Sequence, residues 1–338
     1  MRFRVIALAT VVSLAAAACS SSGGSDENGN GKLDTITVDA AFYGPVDVPL
    51  FLAADKGYYA KQGLQVKFIV ASSNTQLASV LGGSVQFAST SAINVIKAAQ
   101  NGAEFVNFLP IELGFSEDVI MSKKAYQEAG LSASSSVQDK IKALAGKKLG
   151  VISATGENAT IFKYMFDFAG VPQSQLNMVQ LGTPAAIQAA LKQGTIAGAN
   201  VGSPYPAEAV HDGYAEYLFK APLADIPPMS TAVTQTLATT RKYYDGHQDL
   251  IKRFLTAYKK GIADTFADTA AAGEEVYAKH FSEQPKDTFI QSYNEDLGII
   301  AKDVTITQQQ KDDLKKIAQV AGVDISKWDD YFVTPPTS

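Results

Sequence analysis

Leu77-Ala78-Ser79-Val80-Leu81-Gly82-Gly83-Ser84-Val85-Gln86-Phe87-Ala88 returns, more than a hundred residues later, as Gln188-Ala189-Ala190-Leu191-Lys192-Gln193-Gly194-Thr195-Ile196-Ala197-Gly198-Ala199. Aligned without a gap, Ala78 meets Ala189, Val80 meets Leu191, Gly83 meets Gly194, Ser84 meets Thr195, Val85 meets Ile196 and Ala88 meets Ala199. Each copy reads as a helix that stops at a glycine and passes into a short buried strand. Gly83 and Gly194 fall where a helix end wants positive φ, a region glycine enters without a Cβ clash. An α-to-β turn used twice predicts two similarly built α/β lobes. Helix, glycine and strand are also common grammar within one α/β sheet, so the repeat alone leaves both arrangements open.

Outward from the first copy, residues 35–40 and 64–70 alternate as β-strands, residues 48–59 read as a helix, and 85–88 begin a third strand followed by a helix over 92–100. This β-α-β-α-β-α order is that of a doubly wound parallel sheet. Strands over 104–110 and 119–122 follow, and a second series starts at 146–152, with a helix over 159–169 and a strand over 178–181. Asn200-Val201-Gly202-Ser203-Pro204 breaks regular structure, and from Gln248 onward the chain turns mainly helical.

The 338 residues exceed what one ordinary core needs, which agrees with two units. A net charge of −5 and a pI near 5.3 offer no basic face for nucleic acid. Arg2 and Arg4 precede an apolar run over 5–18 that stops at Cys19, the one cysteine in the chain. That is export grammar: a signal peptide over 1–18, too short to span a bilayer. Cys19 either takes the lipid of bacterial lipoproteins or is a bystander to an Ala-x-Ala cleavage. Ala16-Ala17-Ala18-Cys19 departs from the stricter lipobox, which places Leu three before the cysteine, whereas Leu14 lies five before it. Residues 19–34, rich in Ser, Gly and Asn, read as a flexible tether. Beyond the leader no apolar run reaches spanning length, so the expected body is soluble.

With the repeated turn, Gly-Tyr-Tyr-Ala-Lys-Gln-Gly-Leu-Gln-Val at 57–66 and Leu-Ala-Gly-Lys-Lys-Leu-Gly-Val at 144–151, the chain resembles the substrate-binding proteins of the nitrate/sulfonate/taurine and thiamine-pyrimidine (SsuA/THI5-like) group of ABC importers. The resemblance covers roughly residues 35–260. It implies a type II periplasmic-binding-protein fold: two doubly wound α/β lobes joined by two crossovers, lobe 1 over 35–112 and 228–338 and lobe 2 over 113–227. It also implies a small-molecule ligand, an ABC permease partner and a monomer; with a lipid on Cys19 the exported protein sits at the outer face of the cytoplasmic membrane, and without one it is periplasmic.

Ligands of such folds lie beyond the carboxyl ends of parallel strands, where helix N-termini aim free N–H groups into the cleft. The candidate ligand-binding residues are therefore Phe42, Tyr43, Asn74, Ser89, Thr90, Ser91, Thr155, Gly156, Glu157, Asn158 and Gly202. The Ser and Thr turns serve either a ligand or plain N-capping. Phe42 and Tyr43 face an apolar ligand part or plug the core. Glu157 either caps its helix or meets a cationic group such as an amine. No lysine or arginine stands at these strand exits, and the expected ligands are an organosulfonate first and a pyrimidine-like heterocycle second.

An enzyme fits poorly. His211, His247 and His280 lack ligand spacing, no Ser–His–Asp pattern emerges, and the cysteine-rich motif of yeast-type pyrimidine synthases is absent. No metal or cofactor is expected. A ligand-sensing lipoprotein without a permease remains the alternative to an importer component.

Overall fold

The computed structural model describes residues 33–41, 43–71 and 75–336. The signal peptide, Cys19, most of the tether, Phe42 and Asn74 lie outside the described residues.

Ten strands form two five-stranded sheets: β1 (Asp34–Ala40), β2 (Leu64–Val70), β3 (Phe87–Ser91), β4 (Phe105–Leu113), β5 (Asp118–Ser122), β6 (Lys148–Val151), β7 (Asn177–Gln180), β8 (Gly198–Val201), β9 (Ala215–Phe219) and β10 (Val233–Thr240). The first sheet runs β2-β1-β3-β10-β4 and the second β7-β6-β8-β5-β9. With β10 and β5 set aside, the remaining strands of the two sheets follow one order, β2-β1-β3-β4 and β7-β6-β8-β9, and in each sheet the strand set aside holds the fourth place, antiparallel to both neighbours. That antiparallel strand is the one laid down just after the chain changes sheets, β5 on the way out and β10 on the way back. The two sheets are thus mixed α/β, and the two crossings expected from the sequence run between β4 and β5 and between β9 and β10.

The repeated stretch occupies the same place in both. Helix Gln76–Leu81 leads to β3 and helix Pro184–Lys192 leads to β8. Gly83 and Gly194 take φ of 75° and 72°. In both copies the next hydroxyl turns back onto the helix: Ser84 Oγ donates to Ser79 O at 3.1 Å and Thr195 Oγ1 to Ala190 O at 3.0 Å. One local device, written twice, folds twice.

The first sheet buries Ile36, Val38, Phe87 and Phe108 against the helices Val48–Asp55 and Gln248–Ala267. Full burial of such side chains contributes about 1.5–3 kcal/mol each. The second sheet packs Leu149 and Val151 on Phe162 and Phe166 of helix Glu157–Phe168. That cluster continues into Ile93 and Ile96 of helix Ala92–Gln100 and into Leu314, Ile317 and Trp328 of the C-terminal segment. Helix Gln308–Val320, in the stretch expected to belong wholly to the first lobe, therefore packs on the second sheet's helices as well. Among the described residues no helix is long and apolar enough to cross a membrane.

Candidate functional site

The carboxyl ends of β1 and β3 in one sheet and β6 and β8 in the other converge on a cleft with two adjoining cavities. The inner one, about 270 Å³, is lined by Ser89, Thr90 and Ser91 at the end of β3 and by Glu157 at the start of helix Glu157–Phe168. The outer one, about 450 Å³, is lined by Tyr43, Asn158 and Gly202. Ser116 and Glu117, on the first crossing, line both. Thr155 and Gly156 line a pocket of about 60 Å³ beside Glu157. Nine of the eleven residues expected from the sequence thus lie around one cleft, and the other two, Phe42 and Asn74, fall outside the described residues.

Local geometry bears on the uses left open by the sequence. Ser91 holds the N-cap position of helix Ala92–Gln100 with no side-chain capping bond, so its hydroxyl is not spent on the helix. Ser89, 4% exposed, accepts from Gln235 Nε2 at 2.9 Å, which ties β3 to β10 at the cleft floor. Thr155 Oγ1 pairs with Ser153 Oγ at 3.3 Å in the turn before Gly156. Tyr43 does both of its possible jobs. Its hydroxyl donates to Val38 O at 2.8 Å and its ring meets Phe51 and Phe68 edge-on, while the residue still lines the outer cavity. Asn158 turns inward to Asn200. The lobes also touch across the cleft, where Ser203 Oγ donates to Glu295 Oε2 at 2.9 Å.

The cleft is acidic. Glu112 in β4, Glu117 and Glu157 line the inner cavity, and Asp296, at the end of helix Lys286–Asp296, lines the outer one with Glu117. Burial, and then the charges of Glu157, Glu117, Asp296 and Asp47, hold Glu112 well above the usual carboxylate range. Glu117 and Glu157 are raised as well, first by burial; Asp118 adds to the first and Glu117 to the second. Asp296 is pushed up to about 7 by burial and by Glu295, Asp118 and Glu117, and its seat at a helix C-terminus, where the dipole is negative, is equally unfavourable to charge.

The NMT1/THI5-like family model matches residues 45–272, two thirds of the chain. The chain belongs to that family. No curated protein sequence matches it significantly. Among solved structures it is similar to the periplasmic aliphatic sulphonate-binding protein SsuA from Escherichia coli (16% identity, TM-score 0.64, 86% of each chain covered). It is also similar to the zinc-bound ligand-binding component of an ABC-type import system from Staphylococcus aureus (16% identity, TM-score 0.65, 89% of this chain and 97% of that one). A third likeness is to the periplasmic nitrate-binding protein NrtA from Synechocystis PCC 6803 (14% identity, TM-score 0.59, 89% and 88%). At these identities the likeness carries the fold.

Within this NMT1/THI5-like fold, sequence reasoning passed over Glu112, Glu117, Asp296 and the buried Gln76 and Thr234 of the inner cavity. Two of the acids left a trace. Glu112 sits in Phe105-Val-Asn-Phe-Leu-Pro-Ile-Glu-Leu113, where a carboxylate in an apolar strand asks for a reason. Asp296 stands at the wrong end of a helix for its charge. Gln76 and Thr234 carry no such mark.

Proposed function

We propose that this chain is an extracytoplasmic solute-binding protein that captures a small organic molecule between its two lobes and delivers it to an ABC importer. The observation that carries the reading is the outer cavity, lined by Tyr43, Pro45 and Thr288 from one lobe and by Ile152, Asn158 and Gly202 from the other, so that an occupant touches both. A ligand that touches both lobes favours the closed population over the open one, which gives a permease a signal of loading. Family membership and the importer components among the structural neighbours support the same role.

The chain works as a monomer, held at the outer face of the membrane by a lipid on Cys19, with the permease as its partner. The lobe boundaries 35–112 with 228–338, and 113–227, are supported by the points at which the chain passes between the sheets. The role is capture and release and needs no catalysis. An organosulfonate, first in rank from the sequence, is disfavoured by the acid-lined cleft, and the heterocycle ranked second gains by comparison. The test is a thermal-shift screen of small organic solutes followed by uptake of the hit in cells with and without the gene. A hit at about a hundred times its Kd should stabilise the protein by roughly 2.7 kcal/mol. Uptake that is unchanged by deletion would favour a ligand sensor over an importer component.

A further inference from the structure

The inner cavity gathers carboxylates and leaves them without counter-ions. Glu112 is only 7% exposed; its Oε1 lies 3.4 Å from Thr234 Oγ1, and its Oε2 has no hydrogen-bond partner among the described residues. Glu117, whose carboxylate meets its own backbone N–H, and Glu157 line the same cavity, and neither has an ion pair among the described residues. No lysine, arginine or histidine lines either cavity among the described residues. Of the nearby cations, Lys97 shares the small adjoining pocket with Glu157 but makes no ion pair with it, and Lys220 acts on Asp118.

An unpaired buried carboxylate is costly, and three around one cavity repel one another. The arrangement destabilises the empty protein and is relieved by a positive charge placed among them. A sulfonate would find no cation lining the cavity and would meet growing repulsion as the carboxylates ionise. A metal ion fits less well than an organic cation, because among the described residues no group of three His, Cys, Asp or Glu is arranged to hold one. The adjoining outer cavity, which Tyr43 and Phe289 line, offers room for the rest of a molecule.

We propose that the cleft selects a small organic cation, whose ammonium, guanidinium or protonated ring nitrogen seats between Glu112, Glu117 and Glu157 while its apolar part extends into the outer cavity. The assignment rests on the solute-binding reading and fixes the charge of its ligand. An uncharged face of the same ligand meets Ser89, Thr90 and Ser91.

The test is a thermal-shift and calorimetric panel on the full-length chain, with probes matched in size and differing in charge. The cations are n-butylammonium, choline and agmatine; the anion is butanesulfonate; the neutral is butanol; Zn²⁺ and Ca²⁺ stand for metals. The expected result is that cations alone stabilise the protein, that their affinity rises from about pH 6 to about pH 8.5 as the carboxylates ionise, and that protons are released on binding. Glu157→Gln and Glu112→Gln, which keep shape and remove charge, should each weaken the best cation about 30-fold or more while leaving the unliganded fold intact. Stabilisation by butanesulfonate or butanol, with none by cations, overturns the cation and leaves the solute-binding reading standing. Stabilisation by the metals alone overturns the organic ligand. A panel in which no member of any class moves the melting temperature counts against both.

Discussion

The side-chain amides of Asn158 and Asn200 each donate to the other's backbone carbonyl, at 3.4 Å and 2.6 Å, and both residues are buried. The pair fastens the first turn of helix Glu157–Phe168 to β8, the strand that carries the second copy of the repeated turn. It thereby fixes where Glu157, one residue earlier, stands in the cleft. Asn200→Ala removes the shorter bond and should cost about 1–2 kcal/mol in urea denaturation with an unchanged m value. An equal stability of variant and parent would mean that the pair orients nothing.

Two glycine substitutions separate conformational strain from crowding. At Gly83 a Cβ would meet nothing within 4 Å, so Gly83→Ala incurs only the left-handed backbone term, about 1 kcal/mol. Gly261 lies where helix Gln248–Ala267 crosses helix Val48–Asp55, and a Cβ there would run into Pro49 O and stand 2.9 Å from Ala53 Cβ. Gly261→Ala should therefore cost more, about 2–4 kcal/mol, since two packed helices must separate. Thermal denaturation of the two variants side by side gives the order.

These glycines also mark how far the sequence could be read. Gly83 and Gly194 end periodic helices, so their role is visible in local pattern, and the helix over 92–100 appears with the ends its sequence implies. Gly261 looks like any helical glycine, because its reason is a partner two hundred residues away. β9 and β10 carry no strand signal in the sequence for a related cause. β10 lies between β3 and β4 with Val233, Thr234, Leu237 and Ala238 all buried, so it shows no in–out alternation. The polar strand exits of the cleft were legible because they follow parallel strands. Of the acids of the cleft only Glu157 was, at the start of a helix that follows a parallel strand, since Glu112 lies inside a strand, Glu117 rides on a crossing and Asp296 comes from a helix far along the chain.

The stability of the unliganded protein should fall as pH rises. Asp296 has an ordinary value of 3.8 and is held at about 7 in the fold. Between those values the unfolded chain has released the proton and the folded chain keeps it, so the slope of unfolding free energy with pH is negative. Below about pH 4 both states are protonated and the penalty vanishes; above about pH 7 it is complete. Asp296→Asn should thus gain about 1–2 kcal/mol over the parent near pH 8 and match it near pH 4. Denaturant titrations at the two pH values check the sign, and a variant less stable at pH 8 would show that the carboxylate is held by favourable contacts.

The proposed membrane attachment is separable from the fold, because Cys19 opens the expected tether of residues 19–34. Cys19→Ala should move the protein from the membrane fraction to the medium, with binding unaffected. One acyl chain holds a protein only marginally, so stable retention requires the diacylglyceryl group that lipoproteins carry. Unchanged fractionation of the variant would leave the leader as a simple export signal.

The last expectation concerns the hinge. Gly114, the first residue past β4, takes φ of 86°, donates to Ala232 O at 2.7 Å and accepts from Thr234 Oγ1 at 2.5 Å. It therefore binds the first crossing to the second just where the chain passes between sheets. A Cβ at this position would stand 3.0 Å from Ser230 O and 3.1 Å from Met229 O, both backbone atoms that cannot turn aside. Glu117, three residues on, lines the cleft, so a displaced crossing displaces a carboxylate of the site. Small-angle scattering of the parent with a bound ligand should show a smaller radius of gyration than without. The compaction is bounded, because helix Gln308–Val320 and helix Ala92–Gln100 share one apolar cluster with the second sheet and cannot slide freely past it. Gly114→Ala should cost about 2 kcal/mol or more in stability and reduce the compaction, through strain at positive φ and pressure on the second crossing. If the variant binds and compacts as the parent does, the hinge lies elsewhere along the two crossings.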